Sequence, residues 1–145
     1  MEIRAPQSAE EWQDYYDLRY RLLRQPWKQP KGSEQNEGDV IAQHFALYDH
    51  KKLVAVARLD AMENRVFQVR FFAVEQTEQD KGYGKKLMHS IEQVVLQQQG
   101  QKIILQAREN ALPFYSKLGY QTVEKTHLLF GEIQHFLMVK TLKSI

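Results

Sequence analysis

The chain has 145 residues, enough for one domain with a buried core, and its 43% hydrophobic and 26% charged content is ordinary for a globular protein. A formal charge of +2, spread along the sequence, argues against a nucleic-acid-binding domain, and the absence of cysteine excludes disulfides and thiolate chemistry. No apolar run is long enough to span a bilayer and no signal pattern is present, so a soluble, cytoplasmic protein is expected.

Met1–Ala5 reads as a short first strand. Ser8, with Glu11 following, has the form of a capping box, and Trp12, Tyr15, Tyr16, Leu18, Leu22 and Leu23 then recur at helical spacing. That helix should end near Arg24, because Pro26 cannot continue it. Pro26 to Asp39 forms a long loop around Trp27, with Lys28, Glu34 and Glu37. It is either a substrate wall or a solvated connector. Ile41–Tyr48 and Leu53–Ala61 read as a hairpin across Asp49-His50-Lys51-Lys52, and Glu63-Asn64-Arg65 turns the chain into Val66–Val74. His44, in the first hairpin strand, faces a pocket or serves as a hydrogen-bonded structural histidine.

Val66–Val74 leads into a polar turn with two glycines and then a helix marked by Leu87, Met88, Ile91, Val94 and Val95. A helix start offers unpaired N–H groups and the positive end of its dipole. Gly82 and Gly84 let an anion reach that backbone closely, and Lys81, Lys85 and Lys86 add charge, so the turn reads as a pyrophosphate cradle. It is not a dinucleotide fingerprint, because Leu87 stands where a third glycine belongs, and it lacks the spacing of a Walker loop. Gly100 is read as the helix stop, and Lys102–Ala107 as a strand parallel to Val66–Val74. Asn110 is expected to cap a short helix containing Pro113 and ending at Gly119. Two strands, broken near Gly131, complete the chain to Leu142.

Two segments resemble a known family. Gln79-Asp80-Lys81-Gly82-Tyr83-Gly84 resembles motif A of the GNAT N-acetyltransferases, (Arg/Gln)-x-x-Gly-x-(Gly/Ala), and Phe72-Ala73-Val74 resembles that family's signature strand. About thirty residues on, Asn110-Ala111-Leu112-Pro113-Phe114-Tyr115-Ser116-Lys117-Leu118-Gly119-Tyr120 resembles motif B. The resemblance covers essentially the whole chain. It departs at Glu75-Gln76, where the family often has His-Pro, and Phe130–His135 resembles a tail of small stand-alone bacterial members.

The resemblance implies one GNAT domain over residues 1–145. Its α/β fold would have a mixed, mostly antiparallel sheet of six to seven strands, a splayed parallel pair at the centre, and helices on both faces. It further implies acetyl-CoA as cosubstrate, no metal, and acetyl transfer to a primary amine of a small molecule. A protein N-terminus or lysine, or a CoA-binding sensor without turnover, are the alternatives. The implied cofactor residues are Phe72, Ala73, Val74, Gln79, Asp80, Lys81, Gly82, Tyr83, Gly84, Lys85 and Asn110. Tyr115 corresponds to the tyrosine that protonates the leaving thiolate; a phenol with pKa of about 10 starts protonated. Glu75 and His44 are the candidate bases, and Trp27, Arg70 and Arg108 the candidate acceptor contacts. No nucleic-acid or membrane partner is expected, and a homodimer is left open.

Overall fold

A computed structural model describes residues 1–142. In chain order the elements are β1 (Glu2–Arg4), α1 (Ala9–Leu23), β2 (Gln43–Asp49), β3 (Lys52–Ala61), β4 (Val66–Val74), α2 (Tyr83–Gln97), β5 (Lys102–Arg108), α3 (Leu112–Lys117), β6 (Gln121–Leu129) and β7 (Ile133–Thr141). The strands form one seven-stranded mixed sheet in the order β1-β2-β3-β4-β5-β7-β6, flanked by helices, with β4 and β5 its parallel pair. The parallel register runs from Val66 opposite Lys102 to Val69 opposite Leu105, while β4 continues to Val74 and β5 to Arg108. Among the described residues no helix is long and apolar enough to cross a membrane.

The chain divides into two compact units, one of Met1–Asp60 with Phe71–Ile91, the other of Ala61–Arg70 with the chain from Glu92 onward. In the first unit, Tyr15 and Leu18 of α1 pack with Ala46, Tyr48, Val56 and Ala73, and Trp12, Tyr16 and Leu22 close over them. Helix α1 starts where expected: the Ser8 hydroxyl accepts from the Glu11 N–H at 3.1 Å. The Glu11 carboxylate, however, reaches Gln7 N–H at 2.8 Å and Arg4 at 2.9 Å, so it clamps the end of β1 to the helix. His50 and Lys51 both have positive φ, 51° and 68°, which matches the twist that a tight β2–β3 hairpin requires. Strand β2 begins at Gln43 and not at Ile41. The 3-10 turn Glu37–Val40, closed by an Asn36–Asp39 capping box, runs almost up to it and leaves Ile41 89% exposed.

The second unit buries Phe67, Val69, Val95, Ile103, Leu105, Ala107, Tyr115, Tyr120 and Met138. Two sequence expectations are corrected here. The left-handed residue ending α2 is Gln99 (φ 63°), with Gly100 N–H bonded to Val95 O at 2.8 Å. Gly100 is glycine for space: a Cβ there would lie 2.3 Å from Val95 Cγ1 and 2.9 Å from the Phe67 ring. Asn110 does not cap α3. It sits inside a 3-10 turn, Glu109–Ala111, which places Ala111 at the cap position without a side-chain bond. Strand β6, at the end of the sheet, pairs with β7 through two register shifts and is exposed along most of its length.

Candidate active site

In the first unit, β4, its turn and the start of α2 form a continuous piece. Ala73 is buried, with Phe72 and Val74 partly so, and the Glu75 N–H reaches Val54 O at 2.8 Å. The Gln79 amide donates back to Val74 O at 3.1 Å, tying the motif's first residue to the strand's last. Asp80 and Gly82 are both left-handed, at 67° and 83°, which turns the backbone sharply before α2 opens at Tyr83. A Cβ at Gly82 would meet no protein atom within 4 Å, so glycine serves the backbone angle and leaves clear space over the helix start. Lys81 and Lys85 are exposed beside it, although Lys81 is held by Glu78 at 3.2 Å. Tyr83 turns the other way: its hydroxyl donates to Asp49, whose carboxylate pushes the phenol up to about 12. Its side chain therefore fastens the cradle to β2. This set of groups fits a pyrophosphate: first-turn N–H donors, open space and cations.

Glu75 lies directly after the strand, in a two-pronged ion pair with Arg21 of α1, both bonds 3.0 Å. Arg21 holds the Glu75 carboxyl below the usual carboxylate range. His44 is engaged at both nitrogens, Nε2 with the Asp39 carbonyl and Nδ1 with the Tyr15 hydroxyl, each at 2.8 Å. A carbonyl only accepts, so Nε2 carries the hydrogen in the neutral ring. Burial lowers the pKa of this imidazole.

Two buried arginines near His44 were not among the expected site residues. Arg19 is fully buried on the core face of α1, and Arg58 is 3% exposed on β3. Both donate to Asp39 Oδ1, at 2.9 and 3.3 Å. Burial opposes the charge on Asp39, yet the Asn36 N–H and the two guanidiniums hold its carboxyl below the ordinary range. One signal was present: an arginine between Leu18 and Leu22 on an apolar helical face, where a charge needs a buried partner.

The long loop is thus fastened to the helix and to β3. Arg19 also bonds Glu34 O at 3.2 Å, and Arg24 bonds Ser33 O at 3.0 Å. Between loop and α1 lies an open cavity of about 490 Å³, walled by Trp12, Tyr16, Asp14, Asp17, Glu34 and Lys31. The Trp12 and Tyr16 rings stack with centroids 5.8 Å apart. Trp27 belongs to a 3-10 turn, Gln25–Trp27, and is partly buried.

The second unit holds the other expected residues. Arg70 is exposed on β4, Arg108 closes β5 opposite His135, and Asn110 is exposed. Tyr115 is 7% exposed, edge-on to Phe114 and Tyr120 at 4.9 and 5.9 Å. Burial pushes its phenol up while the Arg108 charge pulls the other way, so it stays protonated at neutral pH. Tyr120 donates to Glu92 at 2.8 Å, and Lys140 bonds the same carboxylate at 3.1 Å.

Comparison with known proteins agrees with this fold. The acetyltransferase (GNAT) domain family matches residues 24–142. The uncharacterized N-acetyltransferase YjcF of Bacillus subtilis (strain 168) is 25% identical over 133 residues, covering 92% of this chain and 94% of that protein. An aminoglycoside 6'-N-acetyltransferase complexed with coenzyme A superposes with a TM-score of 0.85 at 17% identity, over 100% of this chain and 99% of the other. The ribosomal-protein-S18-alanine N-acetyltransferase from Escherichia coli does so at 0.76 and 16%, over 99% and 95%.

Proposed function

Because the chain belongs to the GNAT acetyltransferase family, we propose that it moves an acetyl group from acetyl-CoA to a primary amine of a small molecule, by direct attack on the thioester. The observation that carries the cosubstrate is the clear space over Gly82 at a helix start, directly downstream of Phe72–Val74. Pyrophosphate would take the first-turn N–H groups of α2 with Lys81 and Lys85, and the pantetheine arm would lie along β4. A strand N–H near Val74 would face the thioester oxygen as negative charge develops there.

The reaction forms the N–C bond and breaks C–S. The ammonium first gives a proton to water, and the neutral amine attacks. The departing sulfur takes the Tyr115 proton, and the proton released from the new amide nitrogen restores the phenol through water. Water is the route favoured here, because Glu75 is paired with Arg21 and His44 has both nitrogens engaged. A carboxylate held low by a guanidinium is a weak proton acceptor near neutrality. The acceptor is assigned to the cavity of Trp12, Tyr16, Asp14, Asp17, Glu34 and Lys31, where stacked rings and three carboxylates against one ammonium suit a protonated amine. Asp17 bonds Arg21, which bonds Glu75, so contacts run from that cavity to the end of the cofactor strand. Arg70 and Arg108 are retained as contacts for an acceptor carboxylate.

The neighbours named above act, by name, on an aminoglycoside and on a protein alanine, so a peptide amine is the second reading. Release of free CoA thiol from acetyl-CoA across a panel of polyamines, amino acids, aminoglycosides and short peptides tests both. Turnover with small cationic amines is the expected result. Turnover with peptides alone overturns the small-molecule assignment, and acetyl-CoA binding without turnover supports a sensor.

A further inference from the structure

Phe71 stands inside β4 with a φ of 53°. A left-handed conformation is unfavourable for a bulky L-residue, and inside a strand it rotates the following peptide away from the regular alternation. The peptide it redirects is the one entering Phe72-Ala73-Val74. Strain at such a position persists only when the surroundings over-determine it.

The surroundings are arginines. The Arg19 guanidinium lies 4.3 Å from the centre of the Phe71 ring, with Arg24 at 5.4 Å and Arg58 at 5.5 Å. Arg19 is itself fixed by Asp39 at 2.9 Å, Glu34 O at 3.2 Å and the Tyr15 hydroxyl at 3.3 Å. Arg58 is fixed by Asp60 at 2.7 and 2.8 Å and by Asn36 at 2.6 Å. An apolar core would be cheaper than this set of buried charges, and it is not even complete, since Arg19 Nε is buried without a partner. Stability alone does not account for it.

We infer that Arg19, seated by Asp39 and flanked by Arg58, is a positioning residue for acetyl transfer: its guanidinium plane holds the Phe71 ring, and so the left-handed turn that aims the next strand N–H at the acyl carbonyl. This rests on the reading of Phe72–Val74 as the acetyl-CoA strand. Asp39 belongs to the capped turn that closes the long loop, so the same contact links the seating of that loop to the direction of the carbonyl donor.

The cleanest test compares Phe71→Gly with Phe71→Ala. Both lose the ring, and they differ chiefly in the cost of a left-handed backbone. Phe71→Gly should keep a kcat roughly tenfold or more above that of Phe71→Ala, with acetyl-CoA affinity by calorimetry within about threefold between them. Equal rates, or a faster alanine variant, overturn the proposal. Arg19→Met should lower kcat by on the order of 10²-fold with little change in acetyl-CoA affinity. It should also abolish the downshift of the carbonyl stretch of bound 13C-labelled acetyl-CoA in difference infrared spectra. In a Phe71→Gly background, Arg19→Met should cost much less. An unchanged carbonyl shift in Arg19→Met, or undiminished cost in the glycine background, rejects the clamp. Should Arg19→Met fail to fold, the glycine–alanine pair decides alone. Wild-type protein that neither binds acetyl-CoA nor releases thiol refutes the acetyltransfer reading and with it the catalytic role of Arg19. The hold of Arg19 on Phe71 is then read from melting temperatures, where Arg19→Met should cost less in the Phe71→Gly background than in wild type.

Discussion

Two carboxylates with buried side chains, Asp39 with two guanidiniums and Glu92 with one ammonium, each lie close to a tyrosine. Around Glu92 the Tyr120 hydroxyl and the Lys140 ammonium share the carboxylate, and Lys140 also bonds Leu118 O at 2.7 Å. The left-handed residue there is Gly119, for which that conformation carries no steric cost. Around Asp39 two buried guanidiniums converge, one keeps an unmet donor, and the left-handed residue beside them is a phenylalanine. A network that satisfies its members and stops is a fastening. One that leaves a donor unmet beside a strained residue is holding something in place.

The sharpest way to break this contrast uses the two tyrosines of the second unit. Tyr115→Phe should lower kcat by roughly 10²–10⁴-fold with little change in acetyl-CoA binding, because it removes one transferable proton and no packing. Tyr120→Phe should lower the melting temperature and leave kcat near wild type. Steady-state kinetics with calorimetric binding separates them; equal kcat losses would erase the distinction.

The carboxylates come next. Asp39→Asn leaves the buried Arg19 guanidinium without a carboxylate, while Arg58 keeps Asp60, and should destabilise by about 3–5 kcal/mol. Glu92→Gln keeps an oxygen for Tyr120, and Lys140 keeps Leu118 O, so a cost of about 1–2 kcal/mol is expected. Urea unfolding measures both, and a Glu92→Gln cost at or above that of Asp39→Asn reverses the ranking. A smaller effect belongs to the cradle: Gly82→Val strains the 83° backbone and crowds the open space. The rise in melting temperature given by acetyl-CoA should vanish while the ligand-free fold survives. A retained rise would remove the cradle assignment.

Smallest is the pH term from His44. Its folded pKa is lowered, so below the unfolded value of about 6.5 the unfolded chain binds more protons. The contribution is present above about pH 6.5 and is lost as pH falls through that value toward the folded pKa. His44→Gln should flatten the stability profile below about pH 6.5, read by thermal unfolding. The Glu75 pair has the same sign in a lower window, lost below about pH 4.3.

What was legible in the sequence was local. Gln79 to Gly84 reads as a phosphate cradle because the donors proposed for it are its own backbone N–H groups, and α1 announces itself through Ser8 and its apolar face, so neighbours in sequence suffice. Asn110 was misplaced as a cap because a 3-10 turn and a helix begin with the same residue types, and only the backbone shows which comes first. Glu75 stood where expected, but its partner Arg21 is 54 positions away in the chain, and nothing short-range reveals that pairing. Arg19, Asp39 and Phe71 come from a helix, a loop and a strand. Their meeting is a property of the fold, and so is the positive φ it sustains.

The two ends of the sheet carry a consequence of their own. Strand β1 offers only three residues, Glu2–Arg4, to anything approaching from its side. Strand β6 is longer, but its ladder slips between Thr122 and Glu124 and again between Lys125 and Leu128, with charged side chains along the slipped stretch. Short or kinked borders that carry charge are poor templates for an incoming backbone. Neither border therefore invites the hydrogen-bonded growth from molecule to molecule that seeds fibrils, and concentrated preparations should be limited by contacts between faces before edge-on polymerisation begins.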